Sequence, residues 1–142
     1  MPSSNPSRAL GLARILGYFV FLAAFFLPAV REPGHDDFIR GSMCAWITLI
    51  NTLNHDVWRS KDFLAILSGW INPAMLLYVA SLFSRKLALL RRILACLIVI
   101  FLAGTWVYFS IVPLIPLAGH FLWVLGMGMI LAGEAFPRKQ AS

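Results

Sequence analysis

The sequence predicts an all-α integral membrane protein, with four transmembrane helices and an amphipathic interfacial helix in the first loop. Three observations predict it. Hydrophobic residues make up 60% of the 142 positions. Charged residues make up only 13%, against roughly 25% in a soluble domain. Four stretches, Ile15–Val30, Gly41–His55, Phe63–Ser84 and Ile93–Gly133, hold no Asp, Glu, Lys or Arg. A mean hydropathy of +0.80 leaves too little polar surface for a soluble domain. It also excludes a disordered chain, and two cysteines do not make a disulfide scaffold.

The first helix is expected over about 9–29. Ile15–Val30 is short for a span, so Ala9–Ala13 extends it, with Arg14 snorkelling to the headgroups and Pro28 closing it. A signal peptide is the rival reading of residues 1–30. Leu27, two before Ala29, makes a poor cleavage site, so the helix is read as uncleaved.

Residues 31–61 form the one long loop. Arg31-Glu-Pro-Gly-His-Asp-Asp37 is turn chemistry. Beyond it, Met43, Trp46, Ile47, Ile50, Leu53 and Val57 recur at helical spacing, with Thr48, Thr52 and Asp56 opposite. This predicts a surface helix over about 42–54, too short to span and docked either on lipid or on protein.

A second span is expected over about 62–84, with Ser60 or Asp62 as N-cap. The longest uncharged stretch is about twice one span of ~20 residues, and Pro113 and Pro116 divide it. Spans over about 90–112 and 117–136 follow, joined by a short apolar turn as antiparallel neighbours. The whole chain, 1–142, reads as a single bundle.

Lysine and arginine placement sets the orientation. With both termini cytoplasmic, Arg8, Arg14, Arg85, Lys86, Arg91, Arg92, Arg138 and Lys139 lie inside, eight of the twelve. Arg85, Lys86, Arg91 and Arg92 are expected to meet anionic lipid headgroups. That accounts for the basic isoelectric point without nucleic acid.

Candidate chemistry is sparse. His35, Asp37 and His55, with Asp36 and Asp56, are possible metal ligands by type, but no ligand spacing joins them, so a solvated loop is the default. His120 is the one histidine within a span and the candidate for haem or quinone binding or proton relay. Glu134 and Arg138 stand four apart as a structural ion pair. Ser68 and Asn72 share a face beside Pro73, where they, or water, can satisfy the carbonyl that proline frees. Gly126, Gly128 and Ala132 form a small-residue face suited to helix contact, and Met127 and Met129 between them are packing residues. Cys44 and Cys96 fall at different depths and form no redox pair. The sequence lacks a nucleophile elbow, a P-loop and a metalloprotease helix.

These features point to a non-catalytic accessory or structural subunit of a larger membrane complex. The expected setting is a bacterial inner membrane, with anionic lipid and other membrane subunits as partners and no cofactor. A small oligomeric transporter or channel is one alternative. A haem- or quinone-binding protein using His120 is another.

Overall fold

The computed structural model describes residues 6–52 and 63–135. In chain order it contains α1 (Pro6–Ala24), β1 (Pro28–Arg31), β2 (Phe38–Arg40), α2 (Gly41–Asn51), α3 (Phe63–Ser81), α4 (Ala88–Ile111), β3 (Ile115–Pro116) and α5 (Ala118–Ala135). A single 3-10 turn, Arg85–Leu87, precedes α4. The fold is mainly helical. Two helices, α3 and α4, are long and apolar enough to cross a membrane. The other long helices carry shorter apolar runs, Leu10–Ala24 and Ala118–Ala132.

The first helix stops five residues before its expected end at 29. Phe25, Phe26 and Leu27 donate to Leu22, Ala23 and Ala24. These tighter i→i−3 bonds unwind the last turn ahead of Pro28, whose ring disfavours helix in Leu27. The chain then enters a strand, which the sequence reading did not contain. β1 pairs antiparallel with β2, Val30 opposite Ile39 and Arg31 opposite Phe38. Gly34, at φ 83°, supplies the left-handed residue of the turn between them. β1 also pairs antiparallel with β3, giving the strand order β2-β1-β3. The Pro113–Pro116 segment is therefore more than a turn. It closes a small sheet on the segment after α1, and Leu117 N donates to Ala29 O at 2.8 Å.

The helices pack as two pairs, α1 on α5 and α3 on α4. Both pairs share one core: Phe21 from α1, Ile71, Met75 and Tyr78 from α3, Ile98 from α4, Met127 and Ile130 from α5. Consecutive α4 and α5 make little contact. They were expected as close antiparallel neighbours, but each finds its main partner elsewhere, and they meet through aromatic rings near their turn. At the far end, Arg91 Nη1 donates to Ser81 O and Ser84 O, at 3.2 and 3.1 Å. This closes the C-terminus of α3, a structural use of Arg91 that the sequence reading did not contain. Lys86 and Arg92 are exposed.

α2 docks on α3 through its small and polar side. A Cβ on buried Gly69 would collide with Thr48, so the bare glycine admits the threonine. The apolar face, with Met43, Trp46 and Ile50, points away from the bundle.

Candidate ligand-binding cavity

The sheet, α2 and the adjoining ends of α3, α4 and α5 enclose a partly open cavity of about 380 Å³. That is a size that accommodates a small organic ligand. Each wall follows from the local fold. The Gly69–Thr48 contact holds α2 over α3 and brings Cys44, Thr48 and Asn51 to the space. From α3 come Ser68 and Asn72, one helical turn apart. Tyr108 and Phe109 arrive from the last turn of α4, and His120 and Trp123 from the first turns of α5.

His120 is 6% exposed. Its ring centroid stands 4.8 Å from that of Phe109, 5.4 Å from Trp106 and 5.6 Å from Trp123. Its Nε2 is buried and has no hydrogen-bond partner among the described residues. A buried polar atom without a partner costs about 1–3 kcal/mol, so this nitrogen is an open demand among the aromatic rings around it.

Trp123 Nε1 donates to Asn72 Oδ1 at 3.0 Å. Indole is a donor only, which fixes which way the Asn72 amide points. The Asn72 Nδ2 group makes no hydrogen bond among the described residues and remains a donor. Ser68 Oγ donates to Ala65 O at 2.7 Å, and Thr48 Oγ1 to Cys44 O at 2.9 Å. Ser68 thus donates to Ala65 and Asn72 meets Trp123 through its oxygen; among the described residues neither bonds the carbonyl that Pro73 frees, which leaves that carbonyl to water.

No cation lines the cavity among the described residues, and Glu32 is its single charged side chain. Cys44 lies in the wall, where burial pushes its thiol up to about 11. Cys44 and Cys96 are both free thiols.

The other candidates are placed as follows. His35 and Asp37 are exposed on the β1–β2 turn. His55, Asp56 and Arg138 lie outside the described residues, as do the side chains of Glu134 and Arg85. Among the described residues no three His, Cys, Asp or Glu gather as for a metal. The small-residue face divides between the inside and the outside of the bundle. Gly126 is the contact glycine, since a Cβ there would meet Phe21 N at 2.6 Å and Phe21 Cα at 2.8 Å. Gly128 is exposed and faces open space, so it joins no helix contact inside the bundle.

The sequence singled out His120, Ser68 and Asn72 separately, and the structure brings them to one cavity. It missed Thr48, Asn51 and Tyr108. The available signal was the polar side of α2, with Thr48 opposite the apolar residues. The chain matches no family model, no curated protein and no solved structure.

Proposed function

We propose that this chain is a four-span integral membrane protein with cytoplasmic termini and residues 31–61 outside, acting as a non-catalytic subunit of a larger membrane assembly. The observation that carries the span count is the pairing of β1 with β3. It puts the connection after α1 and the connection after α4 at one end of the bundle. An up-down-up-down path through four spans requires that. Helix lengths agree. α1 and α3 have 19 residues, α5 has 18 and α4 has 24. At 1.5 Å per residue these reach about 27–36 Å, against a hydrocarbon core of about 30 Å.

Surface chemistry supports a lipid setting. Leu12, Ile15, Leu16, Phe19 and Leu22 form an exposed face on α1, and Ile93, Val99, Ile100 and Val107 are exposed on α4. In water such faces drive aggregation, whereas a bilayer covers them. The basic turn at 85–92 then meets the anionic inner leaflet.

The subunit role is supported by two surfaces. Among the described residues no element covers the apolar face of α2, and none stands over Gly128 on the outside of α5. Bare glycine in a lipid-facing position forfeits packing, but it admits a neighbouring helix. A transporter is less favoured. Among the described residues the buried polar side chains are Ser81, Thr105 and His120, with no buried carboxylate or ammonium to carry an ion. Native mass measurement in mild detergent tests the role. A defined hetero-complex supports it, and a closed homo-oligomer points to a channel.

A further inference from the structure

We propose that the cavity binds an uncharged, ring-headed lipid of the quinone class, with the oxygen groups of the ring held by Asn72 and His120. This inference rests on the membrane reading above, because the tail of such a ligand needs lipid beyond the open side of the cavity.

Charge narrows the ligand first. A phosphate or carboxylate head needs arginine, lysine or a cluster of amides, and the lining contains no cation among the described residues. The wall has one carboxylate, Glu32. Against the described wall an anionic phospholipid is a poor fit and a neutral head a good one.

Shape narrows it next. Phe109, Trp123 and His120 line the cavity with Tyr108 and Phe25, and the His120 ring stands edge-on to Phe109 and tilted on Trp123. An aromatic-rich wall of this kind favours a flat ring, through stacking or edge contacts. Branched acyl or sugar heads gain less there.

Hydrogen bonding supplies the third limit. Asn72 Oδ1 is taken by Trp123, which leaves the Nδ2 donors for a ligand carbonyl. His120 Nε2 has no partner among the described residues. Neutral imidazole either accepts from a hydroxyl or donates to a carbonyl, according to its tautomer. Trp123 touches both groups, by its hydrogen bond to Asn72 and by its ring against His120. A quinone or quinol carries one oxygen on each side of a flat ring and can meet both. Ser68 and Thr48 donate to backbone carbonyls, so their hydroxyls remain as acceptors only. No redox step is assigned to the protein, because binding alone accounts for these groups.

The test uses the full chain in phosphatidylcholine nanodiscs with a photoreactive azido-benzoquinone bearing a short isoprenoid tail. Adducts are located by mass spectrometry. We expect them on the segments that hold Tyr108, Phe109, His120 and Trp123. Excess decyl-benzoquinone should suppress them, and a monoacylglycerol of equal tail length should not. His120→Phe keeps the aromatic packing and removes the nitrogen, and Asn72→Leu removes the amide. Each should cut labelling about tenfold, the scale of a lost hydrogen bond to a ligand. Ala45→Phe fills the cavity from α2 without touching either polar group, and decides the matter if His120→Phe does not fold. Adducts scattered along the outer faces of α1 and α4 would overturn the proposal. So would equal competition by monoacylglycerol, or full labelling in the folded variants. Resistance of the chain to alkaline extraction from membranes, measured on the same material, separates failure of this site from failure of the membrane reading.

Discussion

The indole of Trp123 on α5 donates to the side-chain carbonyl of Asn72 on α3 at 3.0 Å, across the middle of the helix pairs. Fifty-one residues separate the two in sequence. Their bond ties the α1–α5 pair to the α3–α4 pair beside the cavity, and it holds the Asn72 amide in one orientation. In a membrane such bonds contribute about 0.6 kcal/mol on average and up to about 1.7. A double-mutant cycle of Trp123→Phe and Asn72→Leu, followed by unfolding in detergent, should give a coupling in that range. Additive losses would mean that the bond does not hold the pairs together.

Gly126 and Gly128 should behave oppositely. Gly126→Leu drives a side chain into the Phe21 backbone and should cost at least the 1–3 kcal/mol typical of overpacking. Gly128→Leu projects into open space and should change unfolding by less than about 0.5 kcal/mol. If Gly128→Leu keeps its stability but loses co-purifying protein, the outer face of α5 is the contact with a partner.

Cys44 offers a pH readout. Its thiol is held up to about 11 by burial, so it is neutral at physiological pH, and only the thiolate attacks a maleimide. Alkylation should be slow at pH 7 and rise about tenfold per pH unit up to roughly pH 10. A rate that levels off near pH 8–9, as for an ordinary thiol, would show that the cavity wall is open there.

Undocking α2 should expose the same thiol. Gly69→Leu collides with Thr48 and should lift α2 from α3. Cys44 should then react at neutral pH at the rate of an exposed cysteine, while the helix content measured by circular dichroism changes little. Unchanged reactivity would mean that α2 is held by contacts other than Thr48 on Gly69.

The helices were legible because long apolar runs and their breaks leave a strong trace. Pro113 and Pro116 marked the division between α4 and α5, and the charge-free run Phe63–Ser84 framed α3. The sheet was not legible. Its strands run two to four residues, too short for an alternating pattern, and β1 lies within the same apolar stretch as α1. The site was legible in pieces. His120 and Asn72 stood out because polar residues are rare inside apolar helices, but nothing in the spacing joins positions 51, 72 and 120. Which side of α2 docks was not legible either. The apolar face could meet lipid or protein, and the sequence left both open. The small side with Thr48 packs on Gly69, which leaves Trp46 facing outward.

Residue accessibility in intact cells tests the four-span account most directly. Cys44 and Cys96 are first replaced by alanine. Asp36→Cys then places a thiol on the exposed turn between β1 and β2, and Lys86→Cys places one in the exposed basic turn before α4. A membrane-impermeant maleimide applied outside should label the cysteine at position 36 at once. It should reach position 86 only after the membrane is permeabilised. Labelling of position 86 from outside, or of both positions alike, would contradict the four-span topology and with it the placing of the cavity on the outer side.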